Sequence, residues 1–285
     1  MTRCDNTLTQ MTRRGNFNAF AVLGLFSVCL ATSAACRRAP EATPERALAP
    51  RELPGRAALD FEVVGDGPGP LVLLLHGYGT PGDDLVPLAR TLQRDPRLHH
   101  LRFVLPVGRL ELPHGGRAWW PLRPRAQREA AARGGTRNLA AQHPEELPAS
   151  REALLALLRD LEVRYDVPSS RVAIGGFSQG AMLSIDVALH RDEAPGAVFA
   201  LSGSVIGESE WRPLLGRLRG VPVLVSHGRR DSVLPFRGGD HLREVLDGAE
   251  AEVRFVPFDG DHTIPPAVLA ALADFLATSL PPDSN

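Results

Sequence analysis

The sequence predicts an α/β fold built on a mostly parallel, doubly wound sheet with helices on both faces. Three observations predict it. Short apolar runs of strand length recur from about residue 59 onward. They are continuously apolar rather than alternating, as strands covered on both faces must be. Stretches with helical periodicity stand between several of them, which is the pattern of βαβ units. Apolar residues make up 44% of the 285, enough for a sizeable core in one α/β domain.

In chain order, Phe61–Val64 and Leu71–Leu75 read as strands, Asp83–Leu92 as a helix and Arg102–Leu105 as a third strand. Ala149–Tyr165, "ASREALLALLRDLEVRY", puts leucines at 154, 155, 158 and 161 on one helical face, with Ser150 as its N-cap. Strand Val172–Ile174 runs into helix Gln179–His190. Strands Ala197–Leu201 and Val221–Ser226, helix Gly239–Leu246, strand Val253–Val256 and helix Pro266–Ala277 complete the order. Residues 121–148, "PLRPRAQREAAARGGTRNLAAQHPEELP", break this rhythm. They read either as a lid or binding loop or as a solvated excursion.

Residues 1–58 read differently. Arg13-Arg14 precede the apolar run "FAVLGLFSVCLATSAAC" from Phe20 to Cys36, and Met11 offers a second start. A basic region, a short apolar stretch and then small residues form a secretory signal. The uninterrupted apolar part, about a dozen residues, falls short of the ~20 that span a bilayer. "SAAC" resembles a bacterial lipobox, with Ser33 where an aliphatic residue is usual. The resemblance implies that Cys36 is the lipidated first residue once 1–35 are removed; plain A-x-A-like cleavage near the same place is the alternative reading. The only other cysteines are Cys4 and Cys29, so no disulfide can form beyond Cys36. Residues 36–58, rich in Pro, Ala and charge, read as a tether, and 59–280 as the folded domain. The expected location is the bacterial cell envelope, attached to the membrane through the lipid or, without it, periplasmic or secreted. A formal charge of -1, from 32 basic and 33 acidic residues, gives no sign of a nucleic-acid partner.

The chemistry centres on "GGFSQGA", residues 175–181. Gly176-Phe177-Ser178-Gln179-Gly180 fits G-x-S-x-G between a predicted strand and a predicted helix, the context that the motif requires. A serine there sits on a sharp, strained turn, and side chains two positions either side would collide. Ser178 is the candidate nucleophile. A hydroxyl needs a base, and the base needs an orienting acid. On such turns the acid and then the histidine follow the serine in chain order. Asp231 in "HGRRDSVLP" lies just past a strand's C-terminal end, where open α/β sheets place their sites. His262 in "DGDHTIP" follows the next strand. Asp259 and Asp261 neighbour His262 in sequence, which is not the geometry that orients its ring. His227 is expected to pack at a strand end. The oxyanion donors by position are the amides of Gln179 and of Tyr78, after "LLLHG". His76 is expected to bond within its loop. No spacing of His, Asp or Glu argues for a metal, and the chemistry needs no cofactor.

The motifs "LLLHGYG", "GRAWWPL", "RVAIGGFSQGAMLS", "FALSG", "HGRRDSVLP" and "GDHTIP", in this order, resemble the phospholipase/carboxylesterase family of α/β hydrolases, which includes acyl-protein thioesterases. The resemblance covers about residues 60–278. It implies the α/β-hydrolase fold, Ser178, Asp231 and His262 as a triad, and Tyr78 and Gln179 as oxyanion donors. It also matches Trp119 and Trp120 to a position bordering the acyl or alcohol pocket, although core packing explains the pair equally well. The expected activity is hydrolysis of a small-molecule or lipid ester, a thioester or a lysophospholipid. The alternative is an envelope binding lipoprotein that kept the scaffold and lost turnover.

Overall fold

The computed structural model of the chain describes residues 59–113, 115–122 and 139–283. The expected signal segment, the tether, Cys36 and residues 123–138 of the Arg-rich stretch lie outside the described residues.

The strands are β1 (Phe61–Val64), β2 (Leu71–Leu75), β3 (Arg102–Pro106), β4 (Leu110–Glu111), β5 (Arg117–Ala118), β6 (Val172–Phe177), β7 (Ala197–Leu201), β8 (Pro222–Gly228) and β9 (Glu252–Phe258). The α-helices are α1 (Val86–Gln93), α2 (Leu147–Tyr165), α3 (Gln179–Leu189), α4 (Glu208–Trp211), α5 (Phe236–Gly248) and α6 (Pro266–Ser279). Seven strands form one sheet in the order β1-β3-β2-β6-β7-β8-β9. Only β1 runs antiparallel to its neighbour, pairing Phe61 with Pro106. The rest pair in parallel, so their C-terminal ends share one edge.

Both faces of the sheet are covered, and this explains the continuous apolar runs. All five residues of β2 are buried. Leu71, Leu73 and Leu75 face a core shared with α2, α3 and α5, while Val72 and Leu74 face one shared with α1 and α6. The four leucines expected on one face of α2 are all buried.

Several local boundaries differ from expectation. α2 starts at Leu147, because Pro148 is accommodated in the first turn, where its missing N–H costs nothing. Ser150 is therefore not the N-cap; its hydroxyl donates to Trp119 O at 2.5 Å. α1 starts at Val86 rather than Asp83, and α5 begins at Phe236, directly after Pro235. The short β4–β5 ribbon and α4 are additions that no periodicity announced.

Candidate active site

Ser178 stands between the last residue of β6 and the first of α3, with φ 56° and ψ -114°. This is a left-handed φ that a non-glycine residue adopts at a cost, and it is held by the surrounding structure. The Ser178 amide donates to Leu201 O at 2.9 Å, which ties the turn to β7. The flanking glycines are explained by close backbone approach. A Cβ on Gly176 would lie 2.5 Å from Leu75 O, and one on Gly180 would run into the carbonyls of Leu75 and His76. The turn is thus pressed against the end of β2, which leaves room there for hydrogen only.

The structure brings the three residues expected from sequence into one hydrogen-bonded chain. Ser178 Oγ lies 2.9 Å from His262 Nε2, and His262 Nδ1 lies 2.7 Å from Asp231 Oδ2. The Asp231 carboxylate is itself fixed, since Oδ1 accepts the amides of Val233 at 2.9 Å and Leu234 at 2.7 Å. With both oxygens engaged, it is pre-aimed at the imidazole. The Phe177 ring packs on His262, centroids 4.7 Å apart. Asp261 accepts the His262 amide at 2.7 Å and the Ser232 amide at 2.8 Å, so it joins the loop carrying His262 to the loop carrying Asp231. These contacts, together with Ser232 Oγ, hold its carboxyl below the usual carboxylate range. Asp261 thus binds backbone rather than the ring of His262.

The two candidate oxyanion donors adjoin residues at or beside Ser178. Gln179 is the first residue of α3, where backbone N–H groups lack intrahelical acceptors. Gly77, just before Tyr78, is close to Ser178: a Cβ on it would sit 3.5 Å from Ser178 Cβ. Trp119 and Trp120 are 2% and 3% exposed and belong to the core between sheet and helices. Trp119 Nε1 donates to His76 O at 2.9 Å.

Two buried histidines flank the site. His76 Nε2 accepts the Gly108 amide at 2.9 Å, while its Nδ1 lies 2.7 Å from Gly77 O and 3.1 Å from Thr80 Oγ1. It thus bonds within its own loop, as expected, and also to the segment after β3. His227 is at the end of β8, as expected, but it also lies beside the acid. Its Nε2 donates to Leu234 O at 2.8 Å and sits 3.3 Å from Asp231 Oδ2. The signal was present, since His227 is four residues before Asp231, but strand periodicity alone does not place the two in contact. His143 and His241 pair with Glu210 and Glu208 on the surface.

Burial is the main force holding His76 and His227 below the usual imidazole value of 6.5. The unfolded chain takes up protons near that value while the folded one resists them. Their contribution to stability is full above about pH 6.5 and is lost as pH falls toward the lowered folded-state values. The melting temperature is therefore expected to drop between pH 7.5 and pH 5, a window above that in which Asp261 titrates. Thermal melts across this range check it, and a flat profile would contradict neutral burial of the two rings.

The comparisons with known proteins agree with this architecture. A family model described as Phospholipase/Carboxylesterase matches residues 63–280. Acyl-protein thioesterase 1 of Eremothecium gossypii is 28% identical over 216 residues, covering 73% of this chain and 87% of that protein. The Neurospora crassa protein of the same name is 25% identical over 214 residues, covering 74% and 86%. Among solved structures, esterase PE8 superimposes with a TM-score of 0.66 at 26% identity, covering 79% of this chain and 100% of that one. A Bacillus cereus carboxylesterase shares the fold, with a TM-score of 0.59 at 18% identity over 78% of this chain and 95% of that one. No helix among the described residues is long and apolar enough to cross a membrane. With fold, motif order and matched span in agreement, the chain belongs to the phospholipase/carboxylesterase family and is a hydrolase of the serine-esterase type.

Proposed function

We propose that this hydrolase cleaves carboxylic esters, and thioesters or lysophospholipids of similar shape, through a Ser178–His262–Asp231 triad. The observation that carries the reading is the unbroken hydrogen-bond chain from Ser178 Oγ through His262 to Asp231 Oδ2. Ser178 Oγ attacks the acyl carbonyl while His262 Nε2 takes the hydroxyl proton. Asp231 holds the ring with Nδ1–H toward itself and stabilises the imidazolium. The carbonyl oxygen gathers negative charge, which the Tyr78 and Gln179 amides receive at the N-terminus of α3. The tetrahedral intermediate then collapses, and His262 returns its proton to the leaving alcohol or thiol. Water, deprotonated by His262, attacks the acyl-enzyme and releases the acid. No cofactor or metal enters these steps. Trp119 and Trp120 fit best as the wall behind the pocket, since both are buried. A binding lipoprotein without turnover is not favoured, because all three triad members are present and in contact.

The test is an activity-based one. A fluorophosphonate is expected to add once per chain, on the peptide carrying Ser178, and to abolish hydrolysis of p-nitrophenyl acetate, butyrate, octanoate and palmitate and of an acyl thioester. A folded protein that takes no adduct, or takes it elsewhere, would refute the assignment.

The leader completes the reading. We infer that residues 1–35 direct export, that Cys36 receives the lipid and that 36–58 tether the catalytic domain at 59–280 to a bacterial membrane. The support is the basic and apolar pattern ending in "SAAC". An enzyme so placed meets small esters and lipid fragments. Fatty-acid labelling in the producing bacterium is expected for wild type and absent for Cys36→Ala; equal labelling would sink the anchor.

A further inference from the structure

The side chain of Gln179 is 3% exposed and forms a two-point contact. Its Oε1 accepts the Trp119 amide at 3.0 Å, and its Nε2 donates to Trp120 O at 2.9 Å. An amide side chain thereby pairs with the main chain as a neighbouring strand would. The two bonds also fix its orientation, because the backbone N–H needs the oxygen and the carbonyl needs the nitrogen. On the other side, the same segment grips the loop that carries Tyr78. Gly79 N donates to Arg117 O at 2.8 Å, and Arg117 N donates to Thr80 O at 2.6 Å. The Trp119 indole closes the arrangement by donating to His76 O, with its ring 5.0 Å from that of His76. Ser150 on α2 holds the segment from behind, through Trp119 O. The approach is close enough that a Cβ on Gly116 would collide with Gly79 O.

We propose that Arg117–Trp120 is a brace that sets the separation of the two oxyanion amides, and that the Gln179 side chain and the Trp119 indole are positioning residues for that hole. This rests on the esterase reading above. The Gln179 and Tyr78 amides belong to elements far apart in sequence, α3 and the loop after β2. Among the described residues, the segment bonds to both sides at once: to the Gln179 side chain, and to His76, Gly79 and Thr80 around Tyr78. Charge develops on the oxyanion only in the transition state, so a shifted amide reduces kcat more than substrate binding.

The experiment compares full-length wild type with Gln179→Met, Gln179→Glu and Trp119→Phe. Active sites are first counted by fluorophosphonate titration, so that misfolded molecules drop out. Per titrated site, Gln179→Met is expected to lose about tenfold to a hundredfold in kcat for p-nitrophenyl butyrate, with KM changed less than threefold. Binding of a trifluoromethyl ketone, whose hemiketal presents the oxyanion, should weaken in parallel. Trp119→Phe keeps an aromatic ring of smaller volume, loses the donor and should lose less. Gln179→Glu supplies the specific signature. A protonated carboxyl has one donor and one acceptor, like the amide, whereas a carboxylate has no donor for Trp120 O. At pH 5.5 Gln179→Glu should therefore exceed Gln179→Met, and its activity relative to wild type should not fall on acidification. A Gln179→Met enzyme with wild-type kcat per titrated site, or Glu and Met variants equal at every pH, would overturn the brace while leaving the esterase intact. A wild type that neither labels nor turns over would remove the esterase reading and this inference with it.

Discussion

Replacing Ser178 by alanine is expected to lower kcat for p-nitrophenyl butyrate by about five to six orders of magnitude, to the residual rate that binding and oxyanion stabilisation sustain alone. Size of effect follows from position. Ser178 Oγ is the atom that His262 Nε2 faces at 2.9 Å, and the substitution deletes it with little else. The fold should survive, because the Ser178 amide keeps its bond to Leu201 O. The left-handed φ of 56° is as costly for alanine as for serine, so the melting temperature should move by only a few degrees. The measurement is steady-state hydrolysis with a melt on the same sample. A folded Ser178→Ala protein retaining more than about one thousandth of wild-type kcat would place the nucleophile elsewhere.

Asp231→Asn is expected to cost about 10⁴ in kcat with KM little changed. The reason lies in the direction of one hydrogen bond. Asp231 Oδ1 receives two backbone amides, so asparagine would keep its oxygen there and turn its NH₂ toward His262. The imidazole would then have to accept at Nδ1 and carry its proton on Nε2. In that tautomer it cannot take the proton of Ser178. The nearby Nε2–H of His227, 3.3 Å from Asp231 Oδ2, would repel that NH₂ and add a stability cost, but the two backbone amides on Oδ1 outweigh it. Asp261→Asn is the control. Its carboxylate binds Ser232 and the His262 amide, so its loss should cost loop order and far less rate. If Asp261→Asn proved the more damaging of the two, the acid would have been misidentified.

Much of this was legible in the sequence because it depends on short-range pattern. Continuous apolar runs announce strands buried on both faces, and all seven strands of the main sheet were located. A serine between glycines at a strand–helix junction announces a strained turn, and φ at Ser178 bears this out. The chain order that pointed to Asp231 and His262 selects residues that do meet in space. Partner choice across the fold was not legible. Nothing local in "RAWWPL" says that Gln179 bonds Trp119 and Trp120. Nor does "HGRRD" say that His227 turns back onto Asp231, because strand periodicity gives a face and not a neighbour. Strands of two residues, such as β4 and β5, are too short to carry a period. The start of α2 was misplaced because serine is a strong capping residue, whereas the chain uses Ser150 to hold Trp119 instead.

The strand order has a consequence for when the protein becomes active. Of the proposed triad, Ser178 is at the end of β6, Asp231 follows β8 and His262 follows β9, at the edge of the sheet. The turn under the serine also depends on β2, an early strand whose last carbonyls crowd its glycines. A growing chain that has formed everything up to α5 therefore holds Ser178 and Asp231 but not the proposed base. Only the docking of β9, paired with β8 from Pro222–Glu252 to Gly228–Phe258, supplies it. β9 is the last strand of the sheet in chain order, and its pairing with β8 spans only the α5 crossover. Hydrolytic competence of the proposed triad would thus wait on the docking of that one strand. A chain caught before that step is expected to be inert toward esters, and the onset of turnover to report that the last strand is in place.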